Sequence, residues 1–515
     1  MTDPASPTPL KLFNSLTRSF ETFEPIHAGE ARVYSCGPTV YNYQHVGNMR
    51  AYVFADTLGR VLSFKGYKLS HVINITDVGH LTSDADAGDD KMETAASREG
   101  KSAWDIARHY QSVFEADLAR LNVRKPQILD RPDLSGHPRA TDYVAAMIAW
   151  GQAIEAKHCY RLGSGLYFDV STVPDYGRLA RASTDEGANE LGGRIESVEG
   201  KRHAADFAIW RTTPPGETRQ MEWDSPWGRG APGWHIECSV MSAELLGHPF
   251  DIHTGGIDHR EIHHPNEIAQ NQAMYQAHGS GPDTGARIWM HNNFLIDRRG
   301  KMSKSSGDFL TLQALVDRGF HPLAFRMLCL QAHYRSELEF SWEGLAAAFK
   351  RRKRLIRPIA ELASYAGNTK PVAEEKFADN LLTKFSESIF QDLNTPEALT
   401  YFEALALSGA KIVHINNPEN LELVEAICAH RISVLKRMDQ VLGLKIFEVG
   451  PEDLRIRPIT VTITEPEIEA KLAARKEARA AKDFAKSDAL RDELAAQGVE
   501  VMDGDPLGWD WKLEA

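Results

Sequence analysis

The 515-residue chain has little of several things, and each shortage narrows what it can be. Cysteine is scarce: Cys36, Cys159, Cys238, Cys329 and Cys428 are odd in number and widely scattered. A disulfide scaffold needs paired, closely spaced cysteines, so that class is excluded and each thiol taken alone reads as a buried apolar side chain. No C-x2-C pair occurs, so no zinc knuckle is written locally. No apolar run approaches the ~18 residues of a membrane helix. The opening MTDPASPTPLK lacks a basic segment followed by an apolar one, and residues 1–9 read as a disordered tail rather than a secretory signal. Positive charge is also short, with 59 Lys and Arg against 71 Asp and Glu and a formal net charge of −12. A wholesale nucleic-acid binder is basic, so contact with RNA is confined to local clusters. No internal repeat is present. These shortages point to a cytoplasmic protein with no membrane association, expected as a monomer.

What is present is an ordinary globular balance, 42% hydrophobic and 25% charged, at a length that implies three or more folded units. Ala31–Cys36 reads as a buried strand, and residues 37–48 as a loop. Met49–Lys65 has the apolar spacing of a helix, closed by Gly66, and Leu69–Ile75 is the next strand. Strand, helix, strand at this length is a βαβ unit of a parallel sheet, with ligands expected at the carboxyl ends of its strands. Residues 82–90 (TSDADAGDD) read as a solvated acidic loop. Arg139–Lys157 reads as a helix and Cys159–Val170 as a hairpin, among Gly- and Pro-rich loops. Alternation resumes with helix His235–Leu246, strand Phe250–His253, helix His264–His278 and strand Arg287–Ile296. The pattern then stays helical from Leu312 to Leu444.

Two motifs carry phosphate chemistry. His45-Val-Gly-Asn48 opens a helix, where backbone N–H groups attract anions and Gly47 permits close approach. Lys301-Met-Ser-Lys-Ser305, entered through Asp297-Arg-Arg-Gly300, gathers two lysines and two serines on one loop, which suits a triphosphate. A third constellation combines Cys36, Cys238, His263 and Glu267, the last two spaced to share one helix face. Two thiolates, an imidazole and a carboxylate suit Zn²⁺, although spacing alone favours reading the cysteines as core.

HVGN followed by KMSKS around an interrupted sheet resembles the class I aminoacyl-tRNA synthetases. CGPTVY (36–41), NITD (74–77), PGWHIECS (232–239), DIH (251–253) and HHxNEIAQ (263–270) narrow the resemblance to the cysteinyl-tRNA synthetases, from about Leu10 to the C-terminus. The resemblance implies an ATP-dependent cysteine–tRNA ligase that forms cysteinyl-adenylate with Mg²⁺ and transfers cysteine to tRNA-Cys. It implies one zinc on Cys36, Cys238, His263 and Glu267 that takes the substrate thiol as a further ligand. Serine is nearly isosteric with cysteine but a poor zinc ligand, so no editing domain is needed. The implied catalytic residues are His45, Asn48, Lys301 and Lys304. ATP contacts also include Gly47, Gly255, Gly256, Asp258 and Ser303; amino-acid contacts are Gly37, Thr76, Trp234, His235 and His253.

The fold class that follows is α/β, a Rossmann-like parallel sheet split by an insertion. Its expected boundaries are a nucleotide-binding first half at 10–130, the insertion at 131–230 and the second half at 231–296. A KMSKS and stem-contact region follows at 297–345, a helical bundle at 346–448, a linker at 449–466 and an anticodon-binding module at 467–515. In that module Lys471, Arg475, Lys476, Arg479, Lys482 and Lys486 are expected to meet phosphates, and Trp509 and Trp511 to stack on bases; Lys350–Arg354 is a second basic stretch. Three departures stand out: Pro265 and Asp308, where the family usually has Glu and Asn, and no lysine-rich run after Asp77. Two rivals remain at this level. One is a related ligase that adenylates cysteine but acylates an amino sugar, which should lack the C-terminal module; the other is a non-catalytic RNA-binding paralogue, which should lack the intact motifs.

Overall fold

Parallel strands are buried on both faces and need continuous apolar runs; Glu30–Ser35 (β3) and Lys68–Ile73 (β4) supply them around the helix Val46–Lys65 (α1). They are preceded by a hairpin, Lys11–Asn14 (β1) and Ser19–Thr22 (β2), that the sequence pattern did not disclose. The computed structural model describes residues 8–78, 90–129, 131–134, 136–173, 175–180, 198–275, 284–297, 300–301, 310–367, 369–372, 374–412, 421–450, 452–504 and 507–513. Ser303, Lys304, Asp308, nearly all of the expected tail and all of the acidic loop but Asp90 lie outside these residues.

Helix α1 begins three residues earlier than its apolar spacing predicts. His45 adopts extended backbone as the N-cap, and its Nδ1 accepts from the Asn48 N–H at 3.3 Å, which draws the motif into the first turn. Gly66, at φ 105, ends the helix with a left-handed cap. After β4 come two helices, Lys91–Glu99 (α2) and Ala103–Arg120 (α3).

The insertion carries the helix Val144–His158 (α4) and the hairpin Cys159–Leu162 (β5) and Gly165–Phe168 (β6). Phe207–Thr212 (β7) and Gly230–Pro232 (β8) extend the hairpin into a four-stranded antiparallel sheet where loops were expected. Glycine hides the signal. A Cβ on Gly165 would meet the Trp210 carbonyl oxygen at 2.0 Å, and one on Gly230 the Arg211 carbonyl oxygen at 1.9 Å, so close backbone approach replaces apolar alternation.

The parallel sheet then resumes with Trp234–Leu246 (α5), Phe250–Gly256 (β9), His263–Tyr275 (α6) and Ala286–Asn292 (β10), in the order β10-β9-β3-β4. The expected strand 287–296 is two strands. Leu295–Asp297 (β11) leaves the sheet to pair with Gly300–Lys301 (β12), because the buried Arg50 guanidinium binds the carbonyls of Asn293 and Phe294 and turns the chain. Leu312–Asp317 (α7) and Pro322–Leu330 (α8) follow, then Leu338–Glu339 (β13), which pairs with β11 and interrupts the expected helical run.

Trp342–Ala366 (α9), Lys376–Phe390 (α10), Thr395–Ile412 (α11) and Leu421–Leu442 (α12) form the helical region. It is bound to the catalytic sheet through Arg326 of α8, whose guanidinium donates to Asp56 of α1 at 2.7 Å and to the Leu442 carbonyl at 2.7 Å. The last unit is Glu465–Ala480 (α13), opened by a Thr464/Glu467 capping box, then Phe484–Ala496 (α14), Val499–Val501 (β14) and Trp509–Trp511 (β15).

The basic stretches are largely engaged with protein. Arg352 is buried on the Leu444 carbonyl, Arg351 meets Glu403, and Lys353 meets Asp510 of the last unit. Lys471 pairs with Glu493, and Arg475 and Arg479 pair with Asp503. Trp509 and Trp511 are core: they pack with Ile468, Leu494 and Val499, and Trp509 Nε1 donates to Glu469. The expectation that they stack on bases is corrected. A small unit lacks other large apolar groups to fill its centre.

Candidate active site and metal centre

The carboxyl ends of β3, β9 and β10 open into a cavity of about 1170 Å³. Cys36 follows β3, Cys238 lies in α5, and His263 and Glu267 lie one turn apart in α6. The described donors converge. Cys36 Sγ lies 3.9 Å from Cys238 Sγ, and His263 Nε2 lies 3.0 Å from Glu267 Oε1. One ligand atom from each of the four lies within 4.8 Å of all the others, and all four residues are buried. A second set, Cys36, His253, His264 and Glu267, meets the same distance test. The first is better suited to a soft divalent cation because it has two sulfurs, and because Cys36, Cys238 and His263 line the cavity whereas His253 and His264 do not.

Charge within the cluster is organised for a cation. Burial disfavours the Glu267 carboxylate, but His253 and His263 outweigh it and hold its pKa down at about 2. Burial likewise opposes protonation of His263, yet the charges of Glu267 and Cys238 push it up to about 10. The two thiols share a proton: the Cys36 hydrogen bond lowers Cys238 to about 6, while burial and Cys238 drive Cys36 upward. Cys238 is therefore the first of the pair to become a thiolate. Glu267 Oε1 faces His263 Nε2 at 3.0 Å with both side chains buried, so a cation bound here would take the place of the proton between them. The donor set therefore fits zinc.

His235 and His253, expected in the amino-acid pocket, stand behind this cluster rather than in the cavity wall. His263 Nδ1 donates to His235 Nδ1 at 2.9 Å, burial keeping His235 neutral, and His253 Nε2 lies 2.9 Å from Glu267 Oε2. Contacts of this kind fix the tautomer and direction of a metal ligand. Trp234 stacks on His263 at 4.5 Å between centroids and faces the cavity. Gly37 and Thr76 also line it; a Cβ on Gly37 would fall 1.5 Å from the Asn74 carbonyl oxygen, so no other residue fits there. Pro265 occupies the first turn of α6, where a missing N–H costs nothing, and leaves the donors in position.

On the rim, His45, Gly47 and Asn48 line the cavity at the N-terminus of the 20-residue α1. Glycine at 47 is needed because a Cβ would meet the His45 ring at 2.8 Å. The Val46 N–H donates to the Leu310 carbonyl at 2.8 Å, and Lys301 pairs with Ile296 in the β11–β12 ladder. Both flanks of the KMSKS pentad are thus anchored, the downstream one directly on α1, although the Lys301 side chain lies outside the described residues. Gly256 and Asp258 line the cavity; Gly255 sits behind them, packed on His259 and His264.

Sequence reasoning missed Lys91, Asn292 and the His264–His291 pair. Lys91 lines the cavity with its Nζ 5.7 Å from the Tyr41 ring centre, although the lysine-rich run is absent. The doubled histidine at 263–264 was the available signal for His264, whose Nε2 lies 3.3 Å from Cys36 Sγ and whose Nδ1 lies 2.8 Å from His291 Nε2.

Comparison with known proteins adds independent observations. Residues 22–350 match the family described as tRNA synthetases class I (C) catalytic domain, and residues 464–506 match the cysteinyl-tRNA ligase anticodon binding domain. A cysteine–tRNA ligase of Novosphingobium aromaticivorans is 62% identical over 99% of this chain and 98% of its own length. One from Zymomonas mobilis is 49% identical over 98% of each. Among solved structures, Mycobacterium tuberculosis methionyl-tRNA synthetase bound by methionyl-adenylate is similar in fold, with TM-score 0.56 and 16% identity, covering 84% of this chain and 97% of that one.

Proposed function

The chain belongs to the cysteine–tRNA ligases, and on that premise we propose that its cavity activates L-cysteine with ATP, selects the thiol at Cys36, Cys238, His263 and Glu267, and transfers the amino acid to the 3′ end of tRNA-Cys. The observation that carries the reading is the convergence of those four donors on the cavity whose rim is the start of α1. ATP enters as its magnesium complex. His45, Gly47 and Asn48 receive its phosphates at the positive end of the helix dipole. Gly256 and Asp258 contact the nucleoside at the end of β9, with Gly255 behind them, and Lys301, Ser303 and Lys304 balance the charge that develops as pyrophosphate leaves. A cysteine carboxylate oxygen attacks the α-phosphorus, the bond to pyrophosphate breaks, and a terminal ribose hydroxyl of the tRNA then takes the acyl group and releases AMP.

Gly37, Thr76 and Trp234 shape the amino-acid subsite, while His235 and His253 hold His263 and Glu267 in orientation. Zinc, when bound, supplies a soft Lewis acid that prefers a thiolate to a hydroxyl. No protein nucleophile is required; positioning and charge do the catalysis. Among the described residues no helix is long and apolar enough to cross a membrane.

Pyrophosphate exchange tests the reading. Cysteine is expected to exceed serine in kcat/KM by more than ~10³-fold, beyond the 1–3 kcal/mol of shape discrimination; comparable values would sink the thiol-selection reading. Charging of tRNA rather than an amino sugar separates the enzyme from the related ligase.

The C-terminal unit offers a further expectation. Phe484, at the start of α14 between Lys482 and Lys486, is 62% exposed, unlike the buried tryptophans. It is the aromatic available to an unpaired base, and such stacking is worth ~1–3 kcal/mol. Phe484→Ala should raise the KM for tRNA about tenfold or more while leaving pyrophosphate exchange unchanged. An unaltered KM for tRNA removes Phe484 from the interface.

A further inference from the structure

Asn292 is the last residue of β10 and pairs in register with Gly256 at the end of β9. Its carbonyl accepts from the Ile257 N–H at 2.8 Å, which binds it to the Gly255–Asp258 turn. The side chain is 96% buried yet lines the cavity. Nδ2 donates to the Asn293 carbonyl at 3.1 Å, and that bond sets the amide's orientation. Oδ1 is buried with no hydrogen-bond partner among the described residues. An unsatisfied buried acceptor costs free energy in the folded protein, and this one belongs to a residue of the cavity wall. Around it, Ile257, Phe294 and Leu295 give the cavity apolar wall. A flat ring between apolar surfaces, presenting one N–H donor at its edge, is the complement of that arrangement.

We propose that Asn292 reads the base of the nucleotide, its Oδ1 accepting a hydrogen bond from the exocyclic 6-amino group of adenine. An acceptor at this place rejects a 6-oxo purine, which presents a second acceptor and leaves Oδ1 unpaired. The selectivity is of the kind that arises when a site built to bond an N–H meets an analogue without it. The inference rests on ATP being the substrate of the cavity, and it adds the residue that distinguishes adenine from other purines.

The test is cysteine-dependent pyrophosphate exchange with three triphosphates: ATP, inosine triphosphate and purine riboside triphosphate, which has hydrogen at the 6-position. In the wild type, ATP should exceed the 6-hydrogen analogue in kcat/KM by on the order of ten- to a hundredfold, and the 6-oxo analogue by more. In Asn292→Ala the preference for ATP over the 6-hydrogen analogue should collapse to within a few fold, through loss of ATP activity rather than gain with the analogue. Asn292→Asp, which keeps an acceptor, should retain part of the preference. Zinc content and melting temperature report whether each variant folds. A wild type that uses the 6-hydrogen analogue as well as ATP overturns the proposal without any variant, and so does Asn292→Ala with its preference intact. Absence of exchange with ATP and cysteine in the wild type instead defeats the reading of the cavity itself.

Discussion

Cys238→Ser is expected to take bound zinc from about one atom per chain to near none after dialysis, and to lower cysteine-dependent exchange by on the order of 10²-fold or more. The substitution removes one of the two sulfurs in a buried donor set and leaves the other three donors in position. A hydroxyl does not replace a thiolate, because it stays protonated and is a harder donor. The informative control is His264→Gln, since His264 belongs to the alternative set that shares Cys36 and Glu267. That variant should keep its zinc. Elemental analysis of both proteins decides the matter: zinc retained in Cys238→Ser and lost in His264→Gln would move the site to the second set.

The second large effect is on stability. Asp56 and Arg326 are 1% and 0% exposed at the side chain, and their bond spans from α1 to α8. Arg60 and Arg124 also face the carboxylate, and the Arg124 N–H donates to it at 3.0 Å. Burial alone would raise the Asp56 pKa, but Arg326, Arg60 and Arg124 together hold it at about 2 against the usual 3.8. Burial lowers Arg326 in turn, yet an arginine remains protonated at any working pH. Arg326→Met removes the fully buried one of the three guanidiniums that face Asp56; losing one partner of a buried pair costs on the order of 3–5 kcal/mol, and the two arginines that remain place the expected loss toward the lower end. The melting transition should fall by several degrees. The double variant Asp56→Leu/Arg326→Met should recover part of the loss, because no carboxylate is left in the apolar interior, although Arg60 and Arg124 give up their shared partner; a double variant no better than the single one would show that the bonds to the Leu442, Leu121 and Asn122 carbonyls matter more than the ion pair.

The pH dependence follows with a definite sign. A carboxylate whose pKa is depressed in the folded state contributes stability that is complete above its unfolded pKa and disappears as pH falls through the folded one. For Asp56 the contribution, roughly 2 kcal/mol, is present above about pH 4 and lost toward pH 2. The Asp56→Leu/Arg326→Met protein should therefore show a shallower fall in stability over that interval than the wild type.

Residues that act through short-range chemistry were legible in the sequence. The βαβ unit, the i, i+4 pair His263 and Glu267, the cap at Gly66 and the helix opened by His45–Asn48 all depend on neighbours in the chain, and local periodicity reports such neighbours. Strands β7 and β8 were not legible: Phe207–Thr212 is a short apolar run set among Gly- and Pro-rich segments, and β8 is only three residues long, with Gly230 held by close approach to the Arg211 carbonyl. The break between β10 and β11 was also hidden, since the group that turns the chain there is Arg50, from a distant helix. For the C-terminal tryptophans composition misled in the other direction: aromatic residues in an RNA-binding unit suggested stacking, and the unit's need for a core claimed them.

By itself the sequence determined the class of fold and the family, and it nominated the residues for phosphate and metal, because these readings follow from residue type, local spacing and the order of motifs. Only the tertiary structure decided which of them share a site. Cys36, Cys238 and His263 come from three separated elements, and their meeting at the floor of one cavity depends on the sheet order β10-β9-β3-β4. The same packing set His235 and His253 behind the four donors, gave Arg326 a buried partner in α1, and left the oxygen of Asn292, a residue of the cavity wall, without a partner among the described residues. Local sequence specifies which groups are available, and long-range packing specifies which are satisfied; an unsatisfied buried group is visible only once every neighbour is in place.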